Sequence, residues 1–359
     1  MSQSYDESRI VSDTLVSGGR ADLPDLLGFL YGEAVGAQHI LLMTTHHVAL
    51  RDHYWGELTR GDVLDAMKRG GVSNVFMEFP NSRTTLVQRF QDAAQPDLTG
   101  FVSDFIEGPR ADSTRDNWYL VDESAVSTRT EAFLQKNVAN FLLNAADRGI
   151  SAYCVAENSF PAAYFEQKAL CQGSDTREED RQPCLDAKTR FYQQVHDDTD
   201  RVSRILRHFD GGKSLILGGA AHGSRHDDFE EHLGGRAFKM DFAASYQDYE
   251  ERYGHELQRL RINVPEFGED PPDLVYFADK KAFAITGATP PDLVDALKER
   301  FDVMPYEKLK ESEGQAQETS AEPGLLRRLF GQNAALPVPV VPVALVSAQS
   351  DIGVMHMKM

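Results

Sequence analysis

The chain has 359 residues, with 37 Lys+Arg against 56 Asp+Glu, a formal net charge of −19. Nucleic-acid binding needs a basic footprint to displace counterions from phosphates, and a basic patch is also what holds a protein on an anionic membrane surface, so both classes are excluded. At 41 % hydrophobic and 26 % charged residues the composition is that of a soluble globular protein, long enough for one large α/β domain or two smaller ones.

In chain order, residues 1–20 are polar and read as a flexible N-terminal arm. They lack the apolar core of a cleaved signal peptide. Asp22 or Asp25 can cap a helix running to about Glu33, and the apolar run His39–Met43 reads as a buried strand followed by Thr44-Thr45-His46-His47. Asp62 caps a helix from Val63 to Arg69 that stops at Gly70-Gly71, and Val72–Glu78 is the next strand, ended by Pro80. Helical patterns cover Thr84–Ala94 and Ser127–Arg148, and Ile150–Glu157 is a third strand. A helical insertion over about 160–210 carries a cysteine-flanked acidic loop. Lys213–Leu217 is a fourth strand, ended by Gly218-Gly219, and Ala237–Phe242 is a fifth. Leu274–Ala278 and Ala282–Thr286 read as a hairpin, and a helix over Pro291–Phe301 ends the domain. Strands alternating with helices predict an α/β fold over 21–305, with a mostly parallel central sheet flanked by helices. Residues 306–359 turn polar, then rich in Pro and Val, and read as a disordered tail whose apolar content offers a protein partner a docking segment. No stretch of about 18 apolar residues is present, so no transmembrane segment is expected.

Of the three cysteines, Cys154 lies in an apolar strand and reads as a buried core residue. Cys171 and Cys184 flank the acidic loop. A disulfide between them closes a short loop, worth roughly 3 kcal/mol in the entropic account, and implies an oxidising destination reached without a cleaved signal peptide. Two free thiols in a cytoplasmic protein is the other reading.

The polar residues at the strand ends carry the functional signal. In open α/β sheets ligands bind at the carboxyl edge of the strands. Here the first strand leads into His46-His47, the second ends in Glu78, the third in Glu157, and the fourth runs into Gly218-Gly-Ala-Ala-His222. A carboxylate on a strand as apolar as Val75-Phe-Met-Glu78 is costly to bury without a cation, a metal ion or a histidine as partner. If Val48–Leu58 is helical, His46, His53 and Glu57 fall near one stripe. Two imidazoles and a carboxylate from His46, Glu78 and His222 support either general acid–base hydrolysis or a divalent ion, of which Zn, Mn and Fe suit those ligands, with His47, His53 or Glu157 adding to the set. Neither Ser nor Cys sits in a nucleophile elbow, which points away from a covalent acyl-enzyme.

These same residues carry a resemblance. The run His39-Ile-Leu-Leu-Met-Thr-Thr-His46-His47, the strand Val75-Phe-Met-Glu78-Phe and the segment Leu215-Ile-Leu-Gly-Gly219-Ala-Ala-His222-Gly, in that order, resemble the superfamily of erythromycin esterases, ChaN-like haem-binding lipoproteins and Tiki-type metalloproteases. Members of it also occur within bacterial toxins. The resemblance spans about Gln38 to Gly235. It implies an α/β hydrolase of an ester or peptide bond acting on a small molecule or peptide, in a bacterial effector or toxin setting. The alternative it implies is a haem- or metal-binding protein without turnover. Where the family has Gly-Glu in its first motif this chain has Met43-Thr44, so Glu157, Glu57 or His47 would have to supply that carboxylate or its equivalent.

Overall fold

The computed structural model describes residues 15–17, 21–44, 51–107, 131–156, 166, 170, 182–187, 189–190, 199–219, 226–243, 272–285 and 289–305. The chain divides into two units, Met1–Lys310 and Glu311–Met359, and every described residue belongs to the first.

Nine strands form one sheet: β1 (Leu15–Ser17), β2 (His39–Thr44), β3 (Val72–Pro80), β4 (Ser151–Ala156), β5 (Lys213–Gly219), β6 (Ala237–Ala243), β7 (Leu274–Phe277), β8 (Ala282–Ile285) and β9 (Val303–Pro305). Their order is β4-β3-β5-β2-β6-β7-β8-β1-β9. The neighbours from β4 to β7 all pair in parallel, whereas β7–β8, β8–β1 and β1–β9 pair antiparallel. The fold is therefore α/β with a mostly parallel sheet. Helices α1 (Leu23–Tyr31), α2 (Arg51–Leu58), α3 (Gly61–Arg69), α4 (Thr84–Asp92), α5 (Leu98–Glu107), α6 (Asn140–Ala146), α7 (Thr199–Leu206), α8 (His226–Leu233) and α9 (Pro291–Arg300) complete the described elements, with a π-helical stretch, Leu134–Ala139, running into α6.

Side chains alternate between the two faces of the strands, as the period of two requires. Leu42, Val75, Leu217, Phe238 and Phe242 join the larger core with α1, α3, α4 and α6. Leu41, Met43, Phe76, Ile216 and Ala237 join a smaller one with Val202 and Ile205 of α7. Both faces are covered, which explains why the parallel strands read as unbroken apolar runs.

Two expectations give way here. Leu15–Ser17, read as part of a flexible arm over 1–20, is a strand held between β8 and β9, and its Ser17 Oγ accepts the Phe283 N–H at 3.0 Å. The helix α9, read as the last element, is followed by β9, which pairs with β1. Strands of three residues carry no readable period. Long-range ladder bonds fix them rather than local propensity.

The β4 edge is closed by side chains. Thr84, Gln88 and Gln91 recur on one face of α4 and run along that strand. Thr84 Oγ1 donates to the Cys154 carbonyl at 2.8 Å and accepts its N–H at 3.0 Å. Gln88 Nε2 donates to the Ala152 carbonyl and Gln91 Nε2 to that of Ile150, while Gln91 Oε1 accepts the Ala152 N–H at 2.9 Å. These bonds satisfy backbone groups that an open edge would offer to another chain.

At the amino ends of the parallel strands, His39 is fully buried. Its Nε2 lies 2.9 Å from the Gly234 carbonyl, which can only accept, so that nitrogen carries the proton and Nδ1 accepts from Ser214 Oγ at 2.7 Å. Burial lowers its pKa from 6.5, against smaller opposing effects of the Gly234 carbonyl and the Glu230 charge. The folded state thus takes up a proton less readily than the unfolded chain. The stability due to neutral His39 is fully present above about pH 6.5 and is lost as pH falls below it. In urea unfolding, the advantage of wild type over His39→Gln is expected to shrink between pH 7.5 and 5.5. A constant difference over that range contradicts the assignment.

Candidate functional site

The carboxyl ends of the parallel strands meet on one edge. Thr44 ends β2 opposite Gly219 of β5 and Phe242 of β6, and β4 ends at Ala156 beside Pro80 of β3. The parallel strands named in the sequence reading therefore end along this edge. His46, His47, Glu157 and His222 lie outside the described residues. His53 falls on α2, with its side chain also outside them. Glu78 is the candidate the structure describes in full.

Glu78 is 6 % exposed and stands at an irregularity of its strand. Between Met77 and Pro80 β3 advances three residues while β4 advances two, from Cys154 to Ala156. One extra residue at a strand's carboxyl end bends it and re-aims a side chain, a device found beside active sites. The carboxylate turns toward Gly218 on β5. A Cβ placed on Gly218 would lie 3.1 Å from Glu78 Oε2, 2.5 Å from Arg201 Nη2 and 3.0 Å from Arg201 Nη1. The missing side chain is thus the space in which a carboxylate and a guanidinium meet.

Arg201, from the first turn of α7, is 1 % exposed. Its Nη2 donates to the Leu217 carbonyl at 2.7 Å, which fixes the plane of the guanidinium. From the other face of the sheet Tyr54 of α2 reaches the same edge and donates its hydroxyl to the Leu42 carbonyl at 2.8 Å. Burial drives the Tyr54 hydroxyl's pKa well above 10. The Glu78 charge pushes it the same way, while Arg201 and a backbone hydrogen bond at Gly218 oppose it. Tyr54 therefore stays protonated, a hydrogen-bond donor beside a carboxylate and a cation.

Across the sheet the character changes within two residues. Phe76, Ile216 and Leu41 form an apolar row on the face of α7. One step toward the carboxyl edge that face carries Glu78, the Gly218 floor, Met43 and, on β6, Asp241, since Met43 is in register with both Gly218 and Asp241. Asp241 is 2 % exposed, and Lys239, two residues back on the same strand, is 4 %. Buried charges are costly in a fold unless paired or put to use. Arg201, Tyr54, Asp241 and Lys239 were not among the candidates read from the sequence. For Arg201 a signal existed: it falls on the stripe of α7 shared with Ile205, where an apolar residue belongs. Lys239 and Asp241 alternate with Phe238, Met240 and Phe242, a pattern that reads as a solvated strand face, yet the face is buried.

Other residues take structural roles. Glu57, read on a stripe with His53, pairs instead with Arg60 at 2.5 Å near the surface. Cys154 is a buried free thiol, its pKa pushed up by burial. Cys184 is disulfide-bonded, and Cys171 lies outside the described residues. Among the described residues no group of three His, Cys, Asp or Glu stands together as a metal cage, and no helix is long and apolar enough to cross a membrane.

No family model and no curated protein matches the chain. Among solved structures, one titled "The structure of the type III effector HopBA1" aligns over 67 % of this chain and 89 % of its own, at 13 % identity and a TM-score of 0.38.

Proposed function

We propose that the carboxyl edge of the sheet is the active site of a hydrolase that cleaves an ester or peptide bond by general acid–base chemistry. The observation that carries the reading is Glu78. It is a carboxylate buried at a strand irregularity and turned onto a glycine floor, where a buried guanidinium meets it. In this reading His46 and His222 supply the imidazoles from the segments that follow β2 and β5. One of them, oriented by Glu78, takes the proton of the attacking water, and the other serves the leaving group or the developing oxyanion. His47, His53 and Glu157 are the further candidates for those tasks. The motifs around His46, Glu78 and His222 that resemble the erythromycin esterase, ChaN-like and Tiki-type superfamily support the same reaction class. The Cys184 disulfide supports an oxidising destination, the setting of a secreted effector or toxin.

A metal-assisted version is less well suited to the residues present. Arg201 places a permanent positive charge at the Glu78 carboxylate, and a divalent cation bound there would be repelled by it. The test is a panel of ester and peptide substrates, run with wild type and with His46→Ala and His222→Ala, alongside metal analysis of the same preparations. Turnover that falls by about 100-fold or more in each variant is expected, the size of a lost acid–base group. Turnover retained in both variants overturns the reading. Metal that is present in wild type and absent from both variants transfers it to the metal-assisted version.

A further inference from the structure

The two hydrogen bonds of His39 bracket one stretch of chain. Nδ1 accepts from Ser214, at the start of β5, and Nε2 donates to the carbonyl of Gly234, directly past the end of α8. The ring itself stands at the start of β2, so a single imidazole holds β2 to both ends of the β5–α8 unit. Phe209 packs against it, with 5.3 Å between ring centroids. The end of α8 has few other anchors. Glu231 and His232 are exposed, and Leu233 is only partly buried, against the smaller core. The Glu230 carboxylate accepts the Ala237 N–H at 2.6 Å. The turn Gly234-Gly235 runs at φ +73° and +88°, a backbone that glycine adopts freely and that can swing. An element with so little apolar burial belongs to the low-stability end of a fold.

We propose that His39 is an acid-operated latch on the β5–α8 unit: a proton on its imidazole frees the end of α8 and the Gly234-Gly235 turn from β2 while the parallel strands stay paired. Closed, the neutral ring gives one N–H and receives one O–H. With a proton on both nitrogens it can no longer accept from Ser214, and a charge stands where water does not reach. Open, the ring is hydrated and takes up one proton. Burial holds the closed ring's pKa below 6.5. The closed state therefore has its full advantage above about pH 6.5 and loses it as pH falls below that. Among the described residues, Glu230 of α8 is the group whose charge acts on the ring, and its pull on the proton is smaller than the effect of burial. The other charged and titratable groups nearby are engaged elsewhere. Asp210 accepts from Ser73, Asn74 and the Gly212 N–H. Lys213 donates to the Tyr31 carbonyl, Arg236 pairs with Asp292, and His208 stacks on Tyr153. Lys239 lies two residues beyond Ala237, the register partner of His39, and has a partner of its own. The sequence between the two bonds includes His222, so the latch bears on one of the proposed imidazoles. That consequence rests on the hydrolase reading, and the latch does not.

Hydrogen exchange of the full chain between pH 7.5 and 5.5 tests this, read by mass spectrometry on peptides over 230–238 and over β3 and corrected for the intrinsic pH dependence of exchange. The 230–238 peptide is expected to be less protected than β3 at pH 7.5. At pH 5.5 it is expected to have lost protection severalfold, up to about 10-fold, the limit that one proton sets over one unit below 6.5. His39→Gln offers Gly234 a donor and Ser214 an acceptor without titrating, and is expected to remove this response; His39→Asn is a second such amide. Two wild-type results overturn the inference without any variant. One is equal protection of 230–238 and β3, which means that this end opens only with the whole domain. The other is a protection of 230–238 that is flat in pH. A response retained in His39→Gln and His39→Asn overturns it as well, since another group then takes up the proton. None of these readings uses turnover, so a failed hydrolase reading and a failed latch are told apart.

Discussion

Gly218→Ala is expected to destabilise the protein by about 3 kcal/mol and to abolish the proposed hydrolysis, although it adds a single methyl group. The methyl would stand 2.5 Å from Arg201 Nη2 and 3.0 Å from Nη1, with Glu78 Oε2 at 3.1 Å. Contacts under 3.0 Å force something to move, and neither neighbour moves cheaply. Arg201 is buried along its length and tied to the Leu217 carbonyl, and Glu78 is held at the end of β3. Displacing the guanidinium costs its carbonyl bond and leaves charges in apolar surroundings. Gly28→Ala supplies the control. Gly28 lies within α1, where a Cβ would meet only Ala66 Cβ at an ordinary 4.0 Å, and alanine gains helix propensity, so that variant is expected to be stabilised by roughly 0.5–1 kcal/mol. Urea unfolding of the two variants checks both numbers. Equal stabilities for the two would contradict the close approach at Gly218.

Replacing Arg201 has the largest expected effect on stability. Arg201→Met keeps much of the apolar stem that packs beside Val202 and Ile205 but removes the guanidinium. The Leu217 carbonyl loses a donor and Glu78 loses a neighbouring cation, at a cost of about 3–5 kcal/mol, as for a buried charge left without compensation. Adding Glu78→Gln is expected to recover part of that loss, because the uncompensated carboxylate is then gone. The cycle of Arg201→Met, Glu78→Gln and the pair, read by urea unfolding, is expected to show a coupling of at least about 1 kcal/mol. Additive effects would mean that the two charges do not sense one another, and the site would lose its electrostatic basis.

How much of this was legible before the fold was known depends on where each residue gets its partners. The parallel strands were legible because burial on both faces leaves continuous apolar runs, such as Ile40–Met43 and Leu215–Leu217. Glu78 was legible for the same reason: a carboxylate in such a run has to be explained. Gly218-Gly219 marked the end of β5, but its use as a floor was not readable, since the sequence does not say which side chains fill a glycine's vacancy. Arg201 was legible only as a charge at an apolar position of its helix, four residues before Ile205. Its neighbours Asp200, Ser203 and Arg204 make the segment look solvated, and only the fold lays it over β5. Asp241 and Lys239 were hidden by their alternation, which has the period of a strand with one wet face. What makes that face dry is the packing of helices that the fold lays on it. The strands β1 and β9, of three residues each, and the helix α5 had no local signal strong enough to stand out.

Glu78 carries the proposed chemistry, and the direct measurement is the hydrolysis rate of Glu78→Gln beside wild type, on a substrate that wild type cleaves, with both proteins shown to be folded by the same thermal scan. Glutamine keeps the shape and one acceptor but neither the charge nor the ability to orient an imidazole as a carboxylate does. A rate at least about 100-fold below wild type, with the fold intact, is the predicted result. A Glu78→Gln protein that hydrolyses the substrate as fast as wild type would contradict it.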